Sequence, residues 1–462
     1  MVGFLLAGVL VSKVGRKWSV IMTAVPGLLG SALICMSINT YKIIVGRFLE
    51  GITNGMMNVA VFIYASEIAD VKIRGRITML CFLMVQSGGI FTIALGTKLT
   101  WYYMSLVCFC VLSVHCLLAG PTLNESPSFL AIKKRDEEAL KVLRSLRGPD
   151  ADIQEELRYL QKQNSGDTNK QGYRDLLQKE HLQKIGIMSV IFFIHNFCGT
   201  QVMRVNATRI IRSFGTQLDE KVMAILIIGT LLVGNTSMTT ILDWYGRRRC
   251  IMTSLSTVTV AYTCLGTYVY LKNNYPSLIE GGHNTLPEAV DHLTNTSYYL
   301  SLIGENNYTY LENADDVNDT SNYLSLIPEH DTSLQKHVYN MTNMNAMTNA
   351  SDVVIESFDG SSIKNWLPVM IFTIAGFGHS IGIGPLVFVL SPEMFPTTLR
   401  SQGTSICTMI GSLQTFAVLQ LYSVIDEHLT HAGLFWMFAI VSGSGVFFVY
   451  KFLKETSGSR VG

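Results

Sequence analysis

The chain has 462 residues, of which 48% are hydrophobic and only 15% charged, with a net charge of +1. Soluble domains carry about 25% charged residues, so the composition points to a bilayer, and the balanced charge gives no basic excess for nucleic acid. Nine cysteines lie in or beside the apolar stretches, which argues for helix packing and against a disulfide framework, and no nucleophile–base pair, metal-ligand cluster or phosphate-binding loop suggests an enzyme or a bound cofactor.

About eleven apolar runs follow one another at near-membrane length. The first is partial, over 2–11. The others cover 18–38, 42–66, 78–99, 101–120, 185–203, 220–242, 250–271, 366–391, 402–424 and 432–453. Every backbone amide in lipid needs an internal partner, so the runs are expected to be helices, and the short alternating segments of a barrel are not seen. Met1 stands part-way into a hydrophobic segment, with no signal peptide before it, so a preceding helix is expected to be missing from this sequence.

Basic residues fall in alternate loops: Lys13, Arg16 and Lys17; Lys72, Arg74 and Arg76; Arg247, Arg248 and Arg249; and Arg400. The positive-inside rule puts these loops and the C-terminus in the cytoplasm, with Lys42, Lys98 and Lys221 on the other side. Two loops are long. Within 121–183, the segments KKRDEEALKVLRSLRG (133–148) and DIQEELRYLQKQ (152–163) space their leucines as amphipathic helices, expected to pack under the bundle. The outer loop, about 273–362, is polar and acidic and is expected to be mostly disordered. Its sequons at Asn295, Asn307, Asn318, Asn340 and Asn349 are candidate glycosylation sites. Asn124, Asn206 and Asn235 also sit in sequons, but at cytoplasmic or membrane positions where no glycan is expected. A near-repeat, SYYLSLIGEN (297–306) and SNYLSLIPEH (321–330), suggests a local duplication.

Two devices occur twice. GVLVSKVGRK (8–17) and DWYGRRR (243–249) each place a glycine and arginines in a tight turn about half a bundle apart, which suggests a parallel internal repeat. Glu67 precedes Arg74 by seven residues, and Glu393 precedes Arg400 by the same spacing. An arginine of one half reaching a glutamate of the other would close the cytoplasmic side. Arg16, Lys17, Glu67, Arg74, Asp243, Arg247, Arg248, Glu393 and Arg400 are therefore candidate gate residues, against the plainer reading of membrane-edge charges that only fix topology. Within the membrane, Glu50 is expected to pair with Arg47 three residues earlier, although a buried acid could relay protons. Arg204 is expected to snorkel, and His195 could approach His379 across the cavity.

The order of these elements resembles the sugar porter family of the major facilitator superfamily. LEGITNGMMNVAVFIYASEIADVKIR (49–74) has the family's spacing of glycines, aromatic, glutamate and base. GIGPLVFVLSPEMFPTTLR (382–400) is similar to its tenth helix and following loop, NESPSFL (124–130) to "PESPRFL", and KETSG (454–458) to "PETKG". The ending and EEALKVLRSLRG resemble insect facilitated trehalose transporters within that family. The resemblance implies an all-α integral membrane protein of two pseudo-symmetric six-helix bundles, the major facilitator fold, with helices two to twelve present here. It implies an N-terminal bundle over 1–120, a cytoplasmic helical loop over 121–183, and helices seven to nine over 184–271. The outer loop then spans 272–364, helices ten to twelve 365–453, and a cytoplasmic tail 454–462. It also implies a sugar bound between the bundles near the midplane while they rock around it, with no cofactor.

Several positions depart from the family's pattern. Ser12 stands where an aspartate is usual, which predicts a weaker N-half latch. Phe62 and Asp70 replace prolines, which predicts a less sharply broken helix end. In HNFCGTQVMRVN (195–206), His195 and Asn196 replace a glutamine pair, Gln201 an asparagine, and Val205 and Asn206 two tyrosines. Phe388 replaces a tryptophan, while Phe82 and Gly411 fall where amides are expected. The candidate sugar-binding set is His195, Asn196, Gln201, Ser380, Phe388 and Thr415. Sugar hydroxyls left unpaired in a dry site cost about 1–3 kcal/mol each, so an altered preference is expected. The leading reading is a multi-pass plasma-membrane carrier of trehalose or a hexose, facilitative, with the bilayer as its surroundings. The alternatives are a non-transporting sugar sensor and a proton-coupled carrier of another small polar solute.

Overall fold

The structure is a computed structural model, and it describes residues 1–37, 39–70, 73–148, 153–163, 173, 175–202, 205–206, 220–275 and 360–453. All eleven apolar runs are helical within these bounds. They form α1 (Val2–Lys13), α2 (Arg16–Met22) continued by α3 (Ala24–Cys35), α4 (Thr40–Ile68), α5 (Arg74–Gly96) and α6 (Trp101–Thr122). After the connecting helices come α10 (Lys179–Phe197), α11 (Glu220–Tyr245), α12 (Arg247–Asn274), α13 (Gly360–Ser380), α14 (Ile383–Glu393), α15 (Arg400–His428) and α16 (His431–Phe452). Seven described spans are long and apolar enough to cross a membrane, and α1 is a shorter apolar helix. The chain is an all-α, multi-pass membrane protein.

Two compact units divide the chain, Met1–Val269 with Pro368–Gly462 in one and Tyr270–Leu367 in the other. The second is largely outside the described residues, and the five candidate glycosylation asparagines, Arg204, Lys72 and the tail 454–462 also lie outside them. In the first unit, α3 and α4 approach at Gly30 and Gly46, where a Cβ on either would meet the other's carbonyl oxygen at 2.7–2.8 Å. Small residues let helix backbones meet closely in lipid, where no hydrophobic drive separates helix from solvent. Tyr262 of α12 stacks on Phe435 of α16 with ring centroids 6.3 Å apart, and Phe438 is buried in the same cluster.

The charged connector folds as its leucine spacing predicts. α7 (Pro127–Ile132), α8 (Asp136–Arg147) and α9 (Ile153–Gln163) bury Leu130, Ala139, Leu143, Ile153 and Leu157 against one another. Ser126 caps α7 by accepting the Phe129 N–H, with Pro127 at the first helical position, as suits a proline whose missing donor would be unpaired anyway. Arg147 holds Glu156 with two bonds of 2.8 and 3.1 Å and donates to the Ile68 carbonyl at 2.9 Å. That last bond satisfies a C-terminal carbonyl of α4 and ties the connector to the end of a spanning helix.

Candidate functional site

Two helix breaks shape a cavity with both polar and apolar walls. The run expected as one helix over 185–203 instead starts at Lys179 and stops at Phe197. Gly199 there has φ +88°, and a Cβ on it would meet the Phe438 ring at 2.4 Å. Only glycine combines that backbone with that contact. The run expected over 366–391 breaks as well, between Ser380 and Ile383, where the Ile383 N–H finds the Ser254 hydroxyl at 3.1 Å. Irregular backbone at membrane depth survives where it lines a cavity, and both breaks do so. The cavity, ≈ 180 Å³, is lined by Thr200, Gln201, His379, Ser380 and Gly384 at the breaks, with His195 and Phe388 beside them. From the other half of the chain, α4 and α5 add Asn58, Phe82 and Gln86.

Four of the six candidate sugar-binding residues meet here: His195, Gln201, Ser380 and Phe388. The rings of His195 and His379 lie 5.1 Å apart, and the Gln201 amide reaches the His195 Nε2 at 3.4 Å. Phe388 contacts Phe62 and Phe82 of the first half at 5.9 and 5.8 Å and Phe192 of its own half at 5.7 Å. Asn196 and Thr415 do not line the cavity. The Asn196 amide donates to the Phe192 and Gly411 carbonyls at 2.9 and 3.1 Å, and Thr415 donates to the Asn196 Oδ1 at 2.8 Å. These bonds use the capacity of Asn196 to tie α10 to α15. Gly411 takes part through its carbonyl, with the Phe192 ring in the space a side chain would need.

Sequence reasoning missed Asn58, Gln86, Thr200 and Asn235 as lining residues. Gln86 had a legible signal: it lies one helical turn beyond Phe82, so the two share a face of α5 and an amide does reach the cavity. Asn235 stands out in the sequence only as a sequon, yet its buried Oδ1 has no hydrogen-bond partner among the described residues. The expected Arg47–Glu50 pair is present at 3.1 Å, beside a second cavity of ≈ 720 Å³ between α3, α4, α5 and α6.

At the arginine-rich end, the charges combine differently from their spacing in sequence. Glu67 does not pair with Arg74 along the chain. It accepts both arms of the Arg16 guanidinium at 2.8 and 2.9 Å and the Ser126 hydroxyl at 2.5 Å. Glu393 accepts Arg247 at 2.8 Å. Arg16 and Arg247 follow Gly15 (φ +106°) and Gly246 (φ +87°), so one turn–arginine–glutamate unit occurs in each half. Between the halves, Arg400 stands 3.8 Å from Glu67. Near this layer Ser405 donates to the Phe4 carbonyl at 2.5 Å, and Tyr173 of the connector reaches the Leu5 carbonyl at 3.4 Å. Burial pushes the Tyr173 phenol above its ordinary value, so it stays a neutral donor.

The acid absent at Ser12 is supplied from elsewhere. Glu125 accepts the backbone N–H groups of Arg16 and Lys17 at 2.7 and 3.2 Å, at the positive end of α2, while Ser12 bonds back to Val9 at 2.9 Å. Arg248 bonds the Tyr450 carbonyl and lies over the Tyr450 ring at 5.2 Å. Asp243 sits on the last turn of α11, and its side chain is outside the described set. Phe62, in place of proline, leaves α4 unbroken from Thr40 to Ile68 and packs its ring on Phe388.

Comparison with known proteins agrees with this architecture. A family model described as "Sugar (and other) transporter" matches residues 1–284 and 341–461. The chain is 24% identical to the facilitated trehalose transporter Tret1 of Bombyx mori over 100% of its length, covering 75% of that protein. It is 22% identical to Tret1 of Anopheles gambiae, again over its whole length but over only 48% of the relative. Among solved structures, the proton:xylose symporter XylE bound to 6-bromo-6-deoxy-D-glucose superposes with a TM-score of 0.69 at 16% identity, covering 99% of this chain and 84% of that one. An inward-open form of XylE from E. coli superposes less closely, with a TM-score of 0.58 at 15% identity over 99% of this chain and 85% of that one. With the family model covering most of its residues, the chain belongs to the sugar transporter family of the major facilitator superfamily.

Proposed function

We propose that the chain carries a small sugar across the plasma membrane by alternating access, without a coupling ion, with its arginine-rich end and C-terminus in the cytoplasm. One observation supports this reading most: a cavity lined by both halves lies above a charge layer in which Arg400 of one half faces Glu67 of the other. A cluster that pairs within each half and touches between halves suits a gate that opens by parting the halves and leaves each half's own ion pair intact. The positive-inside distribution supports the orientation.

The cavity supports a polar, uncharged solute. His195, Gln201, Asn58, Gln86 and Ser380 provide donors and acceptors, and no carboxylate or ammonium lines it among the described residues. At ≈ 180 Å³ it is smaller than the roughly 300 Å³ at which drug-sized sites begin, which favours a hexose over the disaccharide trehalose. Uptake of labelled glucose, fructose and trehalose into oocytes expressing the chain tests the proposal. Saturable hexose uptake that exceeds trehalose uptake and is independent of external pH is the expected result. Absence of saturable uptake of every sugar would overturn it.

A further inference from the structure

A third pocket, ≈ 400 Å³, opens at the arginine-rich end, lined by none of the residues of the cavity proposed for the sugar. The first half contributes Ser12, Lys13 and Arg16, the connector contributes Phe129, Lys133 and Tyr173, and the second half contributes Thr397, Thr398, Ser401 and Gln402. Among the described residues no aspartate or glutamate lines it. Arg16 is matched by Glu67, which leaves the charges of Lys13 and Lys133 facing the pocket without a lining acid. Both lysines are exposed, and the Lys133 ammonium lies 5.6 Å from the Phe129 ring centre, with the Arg16 guanidinium at 5.0 Å from the same ring. Thr398 adds a hydroxyl from the second half, while the Ser12, Tyr173 and Ser401 hydroxyls that also line the pocket donate to Val9, Leu5 and Gln402. The first turn of the 29-residue α15 adds its positive end, with no side-chain cap from Leu399.

We propose that this pocket binds a phosphorylated anion, either a lipid headgroup or a soluble phosphate ester, which bridges the two halves and holds this end closed. Two ammonium groups, a helix start and the Thr398 hydroxyl, with no lining acid among the described residues, suit the dense negative charge and many acceptor oxygens of phosphate monoesters. The lining comes from both halves and the connector, so the complete site exists only while the halves are together at this end. A ligand that prefers one state shifts the population toward it, so the anion slows opening. The binding step does not depend on the identity, or the existence, of a transported sugar.

The test is titration of inositol 1,4,5-trisphosphate into the full chain in phosphatidylcholine nanodiscs, read by calorimetry. Saturable binding is expected, weakened about fivefold by Lys13→Gln and by Lys133→Gln, as for removal of one cation near an anionic surface. Thr398→Ala, on the second half, also weakens binding, because the ligand touches both halves. Lys98→Gln, on a different loop, leaves it unchanged. All four side chains lie at or near the surface, so these variants fold. Nanodiscs containing phosphatidylinositol 4-phosphate distinguish the sources: competition with the trisphosphate identifies a lipid headgroup, and its absence identifies a soluble ester. Absence of saturable binding, or equal binding by wild type and both lysine variants, overturns the proposal whatever the outcome of sugar uptake.

Discussion

Arg16 and Glu67, 51 positions apart in sequence, form a two-armed ion pair at 2.8 and 2.9 Å with side chains only 3% and 0% exposed. Arg400 approaches the same carboxylate at 3.8 Å from the second half. One acid thus has a close partner within its half and a more distant one across the interface. In the proposed alternating access these contacts suit two roles: Arg16 would hold Glu67 in place, and Arg400 would report whether the halves are together.

Glu67→Gln leaves two buried guanidiniums facing an uncharged amide. Removing one member of a buried pair costs about 3–5 kcal/mol, so a large fall in the thermal midpoint of the detergent-solubilised protein is expected. Arg400→Gln leaves the Arg16–Glu67 pair intact and should cost clearly less stability while raising the rate at which the arginine-rich end opens. Accessibility of a cysteine introduced at Ser401, labelled by a membrane-impermeant maleimide, measures that opening. Equal destabilisation by the two variants would refute the division of roles.

Asn196 and Gln86 separate structure from solute contact. Asn196→Ala removes the bonds to the Phe192 and Gly411 carbonyls and the bond from Thr415, which keeps only the Gly411 carbonyl as acceptor, at an expected cost of about 1–3 kcal/mol of stability. Gln86→Ala, in the cavity wall, should leave the thermal midpoint near wild type and raise the KM for sugar uptake. Thermal unfolding and uptake kinetics on both variants check the contrast.

Gly199→Ala places a methyl group against the Phe438 ring and forces a side-chain-bearing residue to φ +88°. The backbone strain alone is on the order of 1–3 kcal/mol. Shrinking the ring in a Gly199→Ala/Phe438→Leu double variant should recover part of the lost thermal stability but not all of it, because the strain in φ persists. Full recovery would show that φ carries no cost here.

Arg147→Ala removes the bonds to Glu156 and to the Ile68 carbonyl. A charge-assisted hydrogen bond contributes about 1.5–3 kcal/mol, so α8 and α9 should undock more often. Faster amide hydrogen exchange over 136–163, with exchange in α4 little changed before Ile68, is the expected pattern.

The number and placement of the helices were legible because lipid requires every backbone amide to be bonded within its own segment, so composition along the chain is enough to locate them. Amphipathic spacing located the connector helices for a similar reason: one face must meet a partner. The resemblance in motifs also led to the cavity, since His195, Gln201, Ser380 and Phe388 converge there. Spacing within one helix could not distinguish Asn196 from His195, its neighbour, although one faces α15 and the other the cavity.

Sequence by itself determined that this chain is a multi-pass helical membrane protein in which a glycine–arginine turn and a glutamate–arginine spacing each occur twice, because hydrophobicity and local turn chemistry are properties of consecutive residues. Tertiary structure alone decided the partners. It joined Glu67 to Arg16 rather than Arg74 and replaced the missing acid at Ser12 with Glu125. It also turned Asn196 and Thr415 into a tie between helices and brought Lys13, Lys133 and Thr398 to one pocket. The physical reason is that ion pairs and hydrogen bonds are set by distance in space, and in a bundle of long helices the nearest charge belongs to a neighbouring helix rather than to the next residues along the chain.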